Sequence, residues 1–479
     1  MDKKFVWITG GDQNYLLMIE VLAKSLLKYS KYKLIVYGFN CDSNINLPNV
    51  INKRINYFPK HLKEPNNKEP DLINKDYSVY FAKYLANLDS LNENFDKFAW
   101  IDGDAFVTEH IDKSLKYLNK LEDYPLFMKY FHNNISNWKI HNNIRLEGEY
   151  GSELTGVYNH IPRNPNNKII ATGFYFYDVN SKDFFNKCLS WNHYLNSYNI
   201  KIYVDDNAFS EERVANCVLW EENKTLDLPI TWNNYYSSKD ETLVNSYFLK
   251  QGFDVMYDKN TLEPYFVHGP DPSILAKSST VLNRAFNDYT STKLMIVAHP
   301  DDEIIFGSTE LIKYGSEYKV LCLTNKSNKI RSKEFEKVMK ELNINSWEIL
   351  DYEDTLMPTQ NFNLKDIINC KDWKKIVTHN PIGEYGHPQH KLAFDAVKNE
   401  THNFYIFNKS LKKIDQNYLD TKNQLLKLYE SEQEMFNQIK TKNGDWFKSN
   451  SDTNYIEYES IVKYDVNKDI TPYIACYDK

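Results

Sequence analysis

Leu294-Met295-Ile296-Val297-Ala298-His299-Pro300-Asp301-Asp302-Glu303 decides the fold of the second half of this chain. Five successive apolar residues without polar alternation predict a parallel strand buried on both faces, and the residues after them open a helix that ends near Gly315. In open α/β sheets, ligands gather beyond the carboxyl ends of such strands. His299 and Asp302 stand three apart, so one tight turn can aim both at a single ion while Asp301 points elsewhere. A divalent ion held by one His and one Asp needs a third protein ligand, and a catalytic zinc keeps its fourth position for water.

The third ligand has a source downstream. The apolar segment Lys375-Ile376-Val377 runs into Thr378-His379-Asn380-Pro381-Ile382-Gly383-Glu384-Tyr385-Gly386-His387-Pro388-Gln389-His390, which supplies two more histidines three residues apart. Either cluster alone reads equally well as loop decoration, because short motifs misfire often. Two clusters at the ends of two strands in one array are harder to dismiss. Between them a strand near Val320–Leu323, a helix near Lys333–Leu342, a strand at Trp347–Leu350 and a helix at Leu364–Asn369 alternate in βαβ order. That order predicts an α/β unit with a mostly parallel, Rossmann-like sheet.

On these residues, the segment from about 291 to 408, and onward to the C-terminus, resembles the LmbE/PIG-L-type N-acetylglucosaminyl deacetylases. The matching motifs are Ala298 to Glu303, Arg331 with Glu334 on a helix ending Glu341-Leu342-Asn343-Ile344, Asp354, and Tyr385 to His390; Gln389 stands where the family usually has Asp. The resemblance implies a Zn²⁺ held by His299, Asp302 and His390, with Asp301 as general base. It puts His387 and Tyr385 where the family stabilises the tetrahedral oxyanion, although His387 could instead orient His390. The chemistry agrees: zinc lowers the pKa of bound water to roughly 7 and polarises the acetyl carbonyl. A carboxylate beside the metal can take the water's proton and deliver it to the leaving amine.

The first 270 residues carry a pattern of their own. Phe98-Ala99-Trp100-Ile101 reads as a short buried strand, and Asp102-Gly103-Asp104 follows at once. Two carboxylates at a strand end can hold one hard cation, which binds the diphosphate of a nucleotide-sugar. A lone Asp-x-Asp is a weak signal in a chain with 65 acidic residues. Its context is Lys4 to Thr9 as first strand, then Asn14-Tyr15 and a helix through Leu27, then a strand Lys33 to Tyr37. With Tyr80 to Tyr84, Ala171 to Phe176, and Phe266-Val267-His268-Gly269-Pro270, this order resembles the GT-A fold glycosyltransferases similar to glycosyltransferase family 8. The resemblance implies Mn²⁺ or Mg²⁺ held by Asp102, Asp104 and His268. It also implies Thr9 and Tyr15 near the nucleotide base, and Lys83 facing the diphosphate. Thr172, and the absence of the Lys that usually follows the family's His-x-Gly step, with Asp271 and Ser273 nearby instead, depart from that pattern. His268 reads equally as a core histidine, and Asp205 and Asp206 read as acceptor-facing carboxylates or as helix N-caps.

With 479 residues, the chain exceeds what one core usually supports. The expected division is a GT-A-like domain at 1–275, a polar linker at 276–290 and the deacetylase-like domain at 291–479. Leu425, Leu426, Leu428 and Tyr429 predict one amphipathic helix from Tyr418 to Ile439, continuing through Glu430-Ser431-Glu432-Gln433. A net charge of −7 with no basic stripe argues against nucleic acid as a partner. The six cysteines show no close pairing, which suggests free thiols in the cytoplasm, and no apolar run reaches the roughly 20 residues of a transmembrane segment. The functional expectation is a bifunctional enzyme: transfer of a sugar, N-acetylglucosamine by preference, from a nucleotide-sugar donor, and zinc-dependent removal of the N-acetyl group from an N-acetylated sugar conjugate. The alternative is a deacetylase whose N-terminal half is a catalytically silent glycan-binding module.

Overall fold

The computed structural model describes residues 4–56, 82–129, 170–197, 230–233, 253–258, 263–269, 275–355, 361–410, 412–441 and 456–465, with a few isolated positions between 214 and 261. Asp205, Asp206 and residues 271–274 lie outside the described residues. The chain divides into two compact units, Met1–Asn283 and Arg284–Lys479.

Among the described residues the first unit holds a ten-stranded mixed sheet. Its strands are β1 (Phe5–Gly11), β2 (Leu34–Phe39), β3 (Val50–Ile55), β4 (Lys97–Ile101), β5 (Ala105–Val107), β6 (Leu126–Lys129), β7 (Ile170–Tyr177), β8 (Ile230–Asn233), β9 (Asp254–Asp258) and β10 (Pro264–His268). They lie in the order β3-β2-β1-β4-β7-β6-β8-β9-β10-β5. β1 pairs in parallel with β2 and β4, which makes its interior position a near-continuous apolar run. Alternate residues feed two cores: Val6 and Ile8 pack with Tyr37, Trp100 and Tyr175, while Phe5 and Trp7 pack with Leu22 and Leu26 of the helix Leu16–Tyr29. β10 runs antiparallel to β5 with His268 opposite Ala105, so the residue just after Asp104 and the last residue of β10 are held side by side.

The second unit has a six-stranded sheet in the order β13-β12-β11-β14-β15-β16. The strands are β11 (Lys293–Val297), β12 (Tyr318–Thr324), β13 (Ser346–Tyr352), β14 (Lys375–Thr378), β15 (Tyr405–Lys409) and β16 (Glu459–Lys463). All pairings are parallel except β15 with β16. The strand order reverses at β11 and β14, and the space beyond their carboxyl ends is the switch-point crevice of a doubly wound sheet. The helix Asp302–Tyr314 buries Ile304, Ile305, Phe306 and Leu311, each worth about 1.5–3 kcal/mol relative to exposure. Gly307 lets this helix approach the sheet: a Cβ there would stand 2.8 Å from Met295 Cε. Asn328 caps the helix Lys329–Glu341 by accepting from the amides of Ile330 and Arg331, which fixes where Arg331 emerges.

Two elements differ from the sequence reading. The stretch expected as a polar linker at 276–290 is a helix, Leu275–Thr290, because Leu282, Ala285 and Phe286 form a buried i, i+3, i+4 stripe within it. The single helix expected from Tyr418 to Ile439 is broken. Gln416–Leu426 stops, a short turn carries Tyr429 inward, and Gln433–Thr441 starts afresh. The stretch Glu430–Glu432 is a 3-10 turn rather than the solvated side of a continuous helix. Burial of Tyr429, and hydrogen bonds from Ser431 to Glu334, outweigh the helical periodicity there.

Candidate active site and metal centres

In the second unit, β11 delivers His299 to the crevice and the turn after it delivers Asp302 at the start of the next helix. The helix Pro388–Glu400, begun by Pro388 at its first position, delivers His390. His299 Nδ1 lies 3.2 Å from Asp302 Oδ2, His390 Nε2 3.3 Å from His299 Nδ1, and His390 Nε2 3.4 Å from Asp302 Oδ1. Tetrahedral ligands 2.0–2.2 Å from a zinc ion are spaced about 3.4 Å apart, so this donor set fits the metal that the deacetylase family implies. His299 is 7 % exposed, Asp302 2 % and His390 fully buried.

The surrounding hydrogen bonds set the tautomers. Glu384 Oε2 faces His390 Nδ1 at 2.6 Å and His379 Nδ1 at 2.8 Å, and Glu384 Oε1 accepts from the Asn380 amide at 2.9 Å. With Nδ1–H donating to Glu384, His390 presents its Nε2 lone pair to the centre. His299 Nε2 faces Gln389 Oε1 at 2.5 Å, which frees its Nδ1 in the same way. His379 also approaches Asp302, at 3.4 Å, but its Nε2 accepts the Ala298 amide hydrogen at 3.0 Å, so that lone pair is already engaged. The loop bearing Glu384 needs an unusual backbone: at Gly383 φ is +70°, and a Cβ would stand 2.5 Å from the His387 carbonyl oxygen.

Asp301 lies beside this cluster and 3 % exposed. Its φ of 112° is in the left-handed half of backbone space, a conformation that costs a non-glycine residue about 1–3 kcal/mol. Burial lifts its carboxyl well above the usual range, the Arg331 guanidinium opposes the lift, and the charges of Asp302 and Glu303 add to it. Arg331 Nη2 donates to Asp301 Oδ2 at 3.0 Å. Asp302 goes the other way: burial would raise it, but His390 and His299 hold it well below the carboxylate range. Burial and the neighbouring His390 and His299 press His387 down to about 3, which keeps its imidazole neutral; its ring is 4.7 Å from that of His299. Tyr385 stacks edge-on to His390 at 5.4 Å.

In the first unit, the donor atoms of Asp102, Asp104 and His268 lie within 4.8 Å of one another. His268 Nε2 is 3.2 Å from Asp104 Oδ1. Burial disfavours the imidazolium, yet the charge and hydrogen bond of Asp104 carry His268 up to about 9. Asp102 is met by Lys83 Nζ at 3.3 Å and by the Trp100 indole N–H at 2.7 Å, and its amide donates to the Gly173 carbonyl at 3.0 Å. Two carboxylates and an imidazole form an oxygen-rich set suited to a hard cation. Thr9 is fully buried within β1, and Tyr15 precedes the first turn of the helix Leu16–Tyr29.

The sequence reading thus named six residues that come together in two clusters. It missed His379, Glu384 and the Glu303–Tyr429 contact; Glu384 was legible only as an acid within a Gly-rich His loop, and Tyr429 not at all. No helix among the described residues is long and apolar enough to cross a membrane.

The family model for PIG-L, GlcNAc-PI de-N-acetylase, matches residues 294–400, the segment that holds the second cluster. The uncharacterized protein L374 of Acanthamoeba polyphaga mimivirus is 40 % identical over 155 residues, covering 27 % of this chain and 68 % of that protein. Among solved structures, the N,N'-diacetylchitobiose deacetylase from Pyrococcus horikoshii is 17 % identical and aligns over 40 % of this chain and 91 % of its own, with a TM-score of 0.28. The WbbM bifunctional glycosyltransferase is 13 % identical and aligns over 48 % of this chain and 39 % of its own, with a TM-score of 0.31. Structural likenesses of that extent identify neither unit's activity. The match at residues 294–400 falls on the strands and loops that carry His299, Asp302 and His390, and this part of the chain is a PIG-L/LmbE-type deacetylase domain.

Proposed function

We propose that the chain is a two-site enzyme of amino-sugar chemistry. The second unit would hydrolyse the N-acetyl group of an N-acetylglucosamine conjugate, with His299, Asp302 and His390 holding Zn²⁺. The observation that carries this is the convergence of those three donors, 3.2 to 3.4 Å apart, with the Asp301 carboxyl alongside. A zinc ion there supplies Lewis acidity toward the acetyl carbonyl and acidifies water to about pKa 7. Asp301, anchored by Arg331, takes the proton of the attacking water and returns it to the departing amine. His387, kept neutral, retains one N–H for the carbonyl oxygen as it becomes negative, and the Tyr385 hydroxyl assists. Acetate release from N-acetylglucosaminides tests the assignment: Asp301→Ala should abolish release while retaining zinc, and His299→Ala should lose both. Full activity in Asp301→Ala would remove the mechanism.

The first unit is read as a glycosyltransferase of GT-A type. Asp102, Asp104 and His268 would hold Mn²⁺ or Mg²⁺ against the diphosphate of a nucleotide-sugar donor, Lys83 would add positive charge, and Thr9 and Tyr15 would lie toward the base. The clustering of the three donor atoms supports it. The product of such a transfer, an N-acetylglucosamine conjugate, is what the second unit deacetylates. Asp205 and Asp206 are carried forward as acceptor-facing candidates from the sequence alone. The second reading, a silent glycan-binding module, draws support from Asp102 being already engaged by Lys83 and Trp100. Release of nucleoside diphosphate from common nucleotide-sugars with Mn²⁺ separates the two: turnover lost in Asp102→Ala supports transfer, and no turnover with any donor supports the module. The cytoplasmic placement is carried forward from the sequence alone, whose six cysteines show no close pairing.

A further inference from the structure

The left-handed backbone of Asp301 has an identifiable restraint. Its amide donates to Glu303 Oε2 at 3.0 Å, and the other oxygen of the same carboxylate accepts from the Tyr429 hydroxyl at 2.5 Å. Glu303 and Tyr429 are both fully buried. From the next residues of the same turn, Glu432 Oε1 lies 3.3 Å from Arg331 Nε, and Arg331 Nη2 donates to the Pro300 carbonyl at 2.7 Å as well as to Asp301. The Ser431 amide and hydroxyl donate to Glu334, one helical turn beyond Arg331, at 2.9 and 2.6 Å. The Tyr429–Glu432 turn therefore reaches Asp301 twice, once through its backbone and once through its carboxylate, with one residue intervening each time. That turn lies beyond the 294–400 segment matched by the family model, and the break after Leu426 is what brings it inward.

We propose that Tyr429 and Glu303 form a positioning pair for the deacetylase reaction, holding the Asp301 amide so that its carboxylate faces the attacking water, with Glu432 acting on the carboxylate through Arg331. The inference rests on the reading of Asp301 as the general base. Neither Tyr429 nor Glu303 touches substrate in this role. The geometry explains why a buried acid directly follows the Asp301-Asp302 pair: a carboxylate has two oxygens, and here one restrains the turn while the other is restrained by the chain's C-terminal part.

The test compares Tyr429→Phe, Glu303→Gln, Glu303→Ala and Asp301→Asn in the full chain. Tyr429→Phe should lower kcat roughly 10–100-fold, the size of effect expected when a reacting group is slightly misplaced. KM and zinc affinity should stay unchanged, and the peptide spanning 298–306 should take up deuterium faster. Glu303→Gln keeps an amide oxygen for the Asp301 N–H and should lose less than Glu303→Ala. Added to Asp301→Asn, Tyr429→Phe should cause no further loss, because both act through one group. An unchanged kcat in Tyr429→Phe, additive losses in the double variant, or weakened zinc binding in Tyr429→Phe and Glu303→Gln alike would overturn the inference. Full acetate release from Asp301→Asn would overturn the base assignment as well, whereas an inactive Asp301→Asn with an unaltered Tyr429→Phe would overturn the positioning pair alone.

Discussion

Replacing Glu384 by Gln should weaken zinc binding without removing any ligand. In the parent, one carboxylate accepts three N–H groups, from His390 Nδ1 at 2.6 Å, His379 Nδ1 at 2.8 Å and the Asn380 amide at 2.9 Å. A glutamine offers one oxygen and one NH₂. If its oxygen serves the two imidazoles, the NH₂ confronts the Asn380 amide, and a buried unsatisfied donor costs about 1–3 kcal/mol. If the oxygen serves Asn380, the NH₂ drives His390 to the tautomer whose proton sits on Nε2, the nitrogen that faces His299 and Asp302. Either arrangement also loses the negative charge that faces the His390 Nδ1–H, and such outer partners are worth roughly 10–100-fold in metal affinity. A competition titration with a chromophoric zinc chelator should therefore show a dissociation constant higher by roughly 10–100-fold, about 1.4–2.8 kcal/mol. Acetate release should recover partly at high zinc. A dissociation constant within about twofold of the parent would refute the reasoning, because His390 would then not depend on Glu384 for its tautomer.

Three further outcomes are expected. Lys422→Met should destabilise the second unit by about 3–5 kcal/mol, since it strands the buried Glu459 carboxylate that also accepts from Ser308 and Thr309; hydrogen exchange of the unit's peptides in urea measures it, and an unchanged midpoint would contradict the role of this ion pair. Asp258 is raised by burial but brought down to about 2 by Lys116, Tyr117, the Asn260 amide and Tyr265. A lowered folded pKa gives stability that is present above the unfolded value near 3.9 and lost as pH falls toward about 2, so Asp258→Asn should flatten the acid unfolding slope of the first unit in that window, as read by hydrogen exchange of its peptides. Gly383→Ala should cost the second unit about 1–3 kcal/mol, because φ is +70° there and a Cβ would collide with the His387 carbonyl; a full-strength urea midpoint would exclude that strain.

Much of the second unit was legible in its sequence because buried parallel strands write themselves as apolar runs, and each run ended at a residue type with few other uses. Leu294 to Ala298 followed by His299, and Lys375 to Val377 followed by a His-rich loop, placed two strand ends and three ligand candidates in one crevice. The contacts that orient those ligands were less visible. Glu384 acts through a left-handed loop, with φ of +54°, and the sequence carries no period that marks such a bend. Tyr429 was read as one more apolar position on a long helix. The periodicity that suggested this is real up to Leu426, but the hydroxyl finds Glu303, a contact 126 residues away in sequence, and no local pattern encodes it. The helix at Leu275–Thr290 was hidden by its polar composition, since a three-residue apolar stripe is enough to bury one side.

Strand β16 gives the chain's last described segment a weight out of proportion to its five residues. It covers the flank of β15, and its Glu459 reaches across to Lys422 and to the helix that follows β11. A fragment pared down to the 294–400 block would keep His299, Asp302 and His390 yet end on an uncovered β14, whose unpaired N–H and C=O groups invite edge-to-edge aggregation. The smallest autonomous deacetylase in this protein is therefore larger than its recognisable motif.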